Sequence, residues 1–187
     1  MSKTLNYEDY EDHIISVIPR VDTGTSTGEI DFEIINCYPA GDVVVVDDVE
    51  TAKASVEING ESSYLQFPIQ ASLPYLVFQI KNMDRFLKLS IQVRDNEGDT
   101  KTFILTNKRT TIQVKNNTCH LPLELGSGWQ YINLDLDDMM RRCFGLSYGS
   151  VYDIIVYGST RIGKIYFQDR EYSDAELPIH LRLIAPE

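Results

Sequence analysis

Residues 87–94 read LKLSIQVR. Leu87, Leu89, Ile91 and Val93 alternate with Lys88, Ser90, Gln92 and Arg94, and a period of two turns one face of an extended strand to a core and the other to water. Asn96-Glu97-Gly98 then reads as a hairpin turn into TKTFILT (100–106). Upstream, Asn59-Gly60 separates ASVEI (54–58) from ESSYLQF (61–67). Both turn residues tolerate the positive φ of a type I′ turn, so a hairpin is expected there. The same reading places strands at 30–36, 43–46, 75–81, 110–115, 129–136, 151–157, 163–168 and 179–184. Many short strands with frequent turns predict an all-β fold, an antiparallel β-sandwich of jelly-roll type with one or two short helices.

The best helix spans 138–144. It follows the strand QYINLDL (130–136); Asp137 is placed to cap it, Arg141 and Arg142 suit its negative end, and Gly145 can stop it in left-handed conformation. A second turn is expected at Ser173-Asp174-Ala175-Glu176, a capping box halted by Pro178.

A chain of 187 residues is long enough for one sizeable core and short for two. The net charge of −11 is uneven: residues 1–61 hold 14 acids against 3 bases, and residues 62–187 hold 14 of each. We therefore expect an acidic N-terminal arm over 1–28 and a single β-sandwich domain over 29–187, the arm being a solvated segment or a dock for a basic partner. No apolar run approaches the ~20 residues that span a bilayer, and the first 20 residues carry acids where a signal peptide is basic, so a cytosolic protein without membrane contact is expected. Cys37, Cys119 and Cys143, odd in number and irregularly spaced, fit reduced thiols.

Gly145-Leu146-Ser147-Tyr148-Gly149 matches the G-x-S-x-G pattern of serine hydrolases. That pattern works where a strand enters a sharp turn that opens a helix. Here the order is helix, turn, strand, so Ser147 reads as a loop hydroxyl, and a hydrolase pairing it with His180 is the weakest reading. His13, His120 and His180 stand singly, with no partner at metal-ligand spacing. His180 alternates with Leu181 and Leu183, which makes it a surface neighbour of Arg182. Asp135, Asp137 and Asp138 lack the glycine and terminal Glu of a calcium loop. No Gly-rich phosphate loop is present, so no metal and no cofactor is expected. What remains is surface: Arg141, Arg142, Arg161, Lys164 and Arg170 make a candidate positive patch for an acidic partner, interleaved with Asp138, Asp169 and Glu171. A balanced domain argues against nucleic acid.

Three stretches carry a family resemblance: LPYLVFQIKNMDRFLKLSIQVRDNEGDTKTFILTN (73–107), CHLPLELGSGWQYINLDLDDMMRRCFGLSYGS (119–150) and RIGKIYFQDREYSDAELPIHLRLIAP (161–186). GWQYINLDL with Trp129, the RRCFG step at 141–145, and IYFQDREYSDAELP (165–178) are its most specific parts. Together they resemble the cilia- and flagella-associated protein 20 family over about two thirds of the chain. The resemblance implies a jelly-roll β-sandwich and a non-catalytic structural role at the inner junction of ciliary doublet microtubules and at basal bodies. Its implied partners are tubulin, parkin-coregulated protein and other axonemal proteins. Residues 1–60 lack the family's hydrophobic opening and its Lys-Pro step into a tryptophan, which marks a divergent member or paralogue. The alternative function is a carbohydrate- or ligand-binding sandwich module, since a Gly-Trp before an alternating strand and a short helix also occurs in galactose-binding-like domains.

Overall fold

A computed structural model of the chain describes residues 13–21, 30–31 and 36–182. Its strands are β1 (Ile14–Ile18), β2 (Arg20–Val21), β3 (Ile30–Asp31), β4 (Cys37–Tyr38), β5 (Val43–Asp48), β6 (Lys53–Ile58) and β7 (Tyr64–Ala71). They continue with β8 (Tyr75–Asp95), β9 (Thr100–Thr106), β10 (Gln113–Lys115), β11 (Thr118–Pro122) and β12 (Gly128–Asp135). The helix α1 (Leu136–Phe144) and the last strand β13 (Tyr148–Gln168) follow. The all-β antiparallel architecture is as expected, with one parallel pair among the described residues, β9 with β11. The β2–β3 pair stands apart as a two-stranded ribbon.

Two strands of 21 residues each organise everything else. The segments expected as separate strands at 75–81 and 87–94 are one strand, β8, and those at 151–157 and 163–168 are one strand, β13. The two pair antiparallel from Tyr75↔Gln168 to Asp95↔Tyr148. Midway the ladder breaks: Asn82 pairs with Thr160 and Leu87 with Gly158, so residues 83–86 stand against Ser159 alone. Asp84 there has φ 54°. Opposite, Gly158 has φ 97°, and a Cβ on it would lie 2.1 Å from the Phe86 carbonyl oxygen, so only glycine fits.

The break changes which side chains face inward. Before it, Leu76, Phe78 and Ile80 enter the main core; after it, Leu87, Leu89, Ile91 and Val93 enter the same core. Even and odd positions of an unbroken strand point to opposite faces. The extra residues turn the strand over, so both halves of the ladder close on one interior and form the two layers of the sandwich. The first half adds β12 along Asn82 to Tyr75, and also β1 and β6. The second half adds β9 and β7.

The outer sides of the halves differ. Val77 and Tyr166, paired across the first half, point away from the main core and are nonetheless fully buried, together with Ile14, Tyr172, Leu177 and Leu181. The segment 169–182 lies over them. Its capping box forms as expected, with the Ser173 backbone N–H and hydroxyl both donating to Glu176 Oε2, at 2.8 and 2.9 Å. Arg182 closes the segment on itself by donating to the Leu177 and Ala175 carbonyls, and Gln79 of β8 holds it to the sheet by donating to the Leu181 carbonyl at 3.3 Å.

Three expectations are corrected. Asn59-Gly60 does not close a hairpin: β6 and β7 each pair with β13, and the turn carries the chain from one layer to the other. The strand expected at 179–184 is a 3₁₀ turn over Ile179–Leu181, because Leu181 packs down on the sheet instead of joining it; residues 183–187 lie outside the described residues. Within the stretch expected as an arm, Ile14–Ile18 is β1, with Ile14, Val17 and Ile18 buried. Residues 1–12, 22–29 and 32–35 lie outside the described residues, and with them most of the acidic arm.

Candidate functional site

The candidate cations begin on α1. The helix starts two residues earlier than expected: Asp135, not Asp137, is the cap, its carboxylate accepting from the Asp138 N–H at 2.9 Å. Gly145 ends it at φ 68°, ψ 26°, donating to the Arg141 carbonyl at 2.9 Å. Arg141 and Arg142 both pair with Asp138, yet their side chains remain 67% and 78% exposed, so at this end of the helix two guanidiniums face water against one carboxylate. Arg170 is exposed too. It pairs with Glu176 at 3.2 Å and lies 3.9 Å from the centre of the Tyr172 ring.

Arg161 is not available in the same way. Its Nη1 donates to Asp48 Oδ2 at 2.7 Å and its Nε to Glu57 Oε2 at 2.5 Å. Asp48, whose side chain is fully enclosed, also accepts from Lys81 Nζ at 3.2 Å and from the Trp129 indole N–H at 3.1 Å. Four strands, β5, β8, β12 and β13, thus converge on one carboxylate. Burial alone would raise its pKa; Arg161 first, then Trp129, Lys81 and the Thr51 N–H, reverse that and hold the carboxyl well below the usual range. The sequence does not mark this junction: Asp48 is one of two acids at the end of a valine run, and nothing there signals its distant partners.

Lys164 is buried as well. Its Nζ donates to the Arg182 carbonyl oxygen, which Lys53 Nζ also reaches, at 3.0 Å. Burial, and then the neighbouring Lys53, pull it down to about 7. His180, expected on a polar strand face beside Arg182, sits half-buried in the 3₁₀ turn, lowered by burial and then by Lys164. The five bases are therefore divided: Arg141, Arg142 and Arg170 present charge to solvent, while Arg161 and Lys164 are drawn into the fold.

Ser147 is an exposed residue between α1 and β13, in the order helix, turn, strand. Asp137 accepts from the Tyr148 N–H, so all three clustered aspartates have local structural partners. On the outer face of the second half, Tyr38 and Tyr64 stack at 6.1 Å and Tyr64 meets Tyr157 at 5.6 Å. Lys88 Nζ lies 4.0 Å from the Tyr157 ring centre, and Arg94 covers Tyr152 at 4.4 Å.

The CFA20 domain matches residues 20–185, nearly the whole chain. The chain belongs to the CFA20 domain family. Its relatives in that family include cilia- and flagella-associated protein 20 of Chlamydomonas reinhardtii, 32% identical over 155 residues that cover 78% of this chain and 82% of that one. The protein of the same name from Paramecium tetraurelia is 36% identical over 114 residues, 61% of this chain and 60% of that one. Named members of the CFA20 domain family are thus associated with cilia and flagella, the role expected from the C-terminal motifs. Among solved structures, a family 6 carbohydrate-binding module aligns with 84% of this chain and 93% of its own, at 10% identity and a TM-score of 0.39. A second module, solved with β-1,4-galactotriose, aligns with 73% and 88% at 13% identity and the same TM-score. Likeness this low carries no weight for fold or ligand.

Proposed function

We propose that this CFA20 domain protein is a non-catalytic structural component of the ciliary or flagellar axoneme, binding doublet microtubules at or near the inner junction between A- and B-tubules and also present at basal bodies. Family membership over residues 20–185 is the observation that carries this reading. The surface supports it: Arg141 and Arg142 project from the end of α1, and Arg170 lies on the covering segment. Such exposed cations complement an acidic lattice such as tubulin, and weak charged contacts repeated along a polymer gain by avidity. Tubulin, parkin-coregulated protein and other axonemal proteins are the partners in this reading.

Co-sedimentation with stabilised microtubules over a salt series tests it. Binding of the wild type falls as salt rises, and Arg141→Glu/Arg142→Glu weakens it by roughly tenfold at low salt. Equal pelleting of both proteins at every salt concentration rules out this helix end as the contact. A second reading, a carbohydrate-binding module, draws on the stacked Tyr38–Tyr64 pair; calorimetric titration with short oligosaccharides decides it.

A further inference from the structure

The C-terminal end of α1 rests on the edge of the second layer through two neighbouring contacts. Phe144 meets Phe103 of β9 with ring centres 5.6 Å apart, tilted at 53°. Beside them, Cys143 Sγ lies 2.8 Å from Cys119 Sγ. Cys119 is on β11, opposite Phe103 in the parallel pair, and is fully buried, whereas Cys143 is half-buried. Non-bonded heavy atoms rest roughly 3.5–4.0 Å apart, so the two sulfurs are already in contact. The third thiol, Cys37, is on β4 opposite Leu65 of β7.

We propose that Cys119 and Cys143 are an oxidation site, a dithiol that closes to a disulfide and reopens, fastening the end of α1 to β11. The sulfurs divide the work. Cys143, the more accessible, attacks a peroxide O–O bond as thiolate, forming the sulfenic acid Cys143–SOH and releasing hydroxide. The Cys119 sulfur then attacks the sulfenic sulfur; the S–S bond forms, the S–O bond breaks, and the Cys119 proton leaves with that oxygen as water. Overall two thiols and one hydrogen peroxide give one disulfide and two waters, and a small-molecule dithiol reverses the change. Burial first, and then the Cys143 sulfur, push the Cys119 thiol up to about 12, which keeps Cys119 in the resolving rather than the attacking role.

The test is thiol counting and peptide mapping on the full chain. Reduced protein, unfolded and alkylated, carries three blocked cysteines. After hydrogen peroxide the count falls to one, at Cys37, and a non-reducing digest yields the peptide pair containing Cys119 and Cys143, which a dithiol separates. Cys143→Ser abolishes the pair. Cys119→Ser leaves a sulfenic acid at Cys143, trapped by dimedone. Oxidised wild type melts ~5–10 °C above the reduced form, and Cys143→Ser shows no such rise. Mapping of the wild type needs no variant to fold. Three thiols remaining after peroxide, a cross-link through Cys37, or over-oxidation of Cys143 with Cys119 still free would each overturn the proposal.

Discussion

The two halves of β8 make a comparison within one strand. In 87–94, inward and outward residues alternate, and the outward Lys88, Gln92 and Arg94 are exposed or half-buried. In 76–80, LVFQI, every residue is buried, because the main core lies on one side and the segment 169–182 on the other. The backbone ladder to β13 is the same in both halves. What differs is whether the outer face has a lid of protein, and that decides what a side chain there must be.

The largest expected effect breaks this contrast if it fails. Val77→Asp places a carboxylate between the sheet and Leu181 and should cost at least ~3 kcal/mol in urea unfolding, enough to unfold a marginal domain. Lys88→Asp, outward on the other half, should cost within about 1 kcal/mol. Equal losses would mean that the lid contributes nothing.

Asp48 is next. Asp48→Asn leaves Arg161 and Lys81 without their shared carboxylate and should cost about 3 kcal/mol at neutral pH. Because the folded carboxyl titrates below its unfolded value, its contribution is complete above about pH 4 and is lost as pH falls further. The gap between wild type and variant should therefore close on acidification; a gap that holds steady down to strongly acid pH would exclude the carboxylate as its source.

Lys164 supplies the smallest effect, with the opposite sign. Below pH 7 it is charged both folded and unfolded, so its burial penalty is felt in full; between about 7 and 10 the unfolded chain holds a proton that the folded chain has released, and stability rises with pH. Lys164→Met should stabilise by on the order of 1–2 kcal/mol at pH 6, since Lys53 still reaches the Arg182 carbonyl. The gain should shrink towards pH 10. A constant gain across that range would point to packing instead of charge.

Much of the fold could be read from residue order. LKLSIQVR, TKTFILT and GWQYINLD are strands because alternation is a local property, and the Ser173–Glu176 box formed because its partners are three residues apart. Coverage is not local. His180 alternates with Leu181 and Leu183, which points to a polar strand face, and that logic fails once the polar face is itself roofed over. Trp129 stands in a recognisable motif, but its partner Asp48 is 81 positions away, and no spacing rule connects them. The candidate site divided along the same line. Arg141 and Arg142, on a short amphipathic helix, are exposed as expected, whereas Arg161 and Lys164 lie where other strands and the covering segment converge on them.

The turned-over ladder has a mechanical consequence. Most sandwiches are two separate sheets joined by loops, and one sheet can slide against the other by repacking side chains. Here β8 and β13 run uninterrupted from one layer into the other, so a tug on either layer is passed along covalent backbone into its neighbour, and relative sliding must distort the fold at Gly158. The block resists shear as a bent plate does, and yields by flexing at its crease.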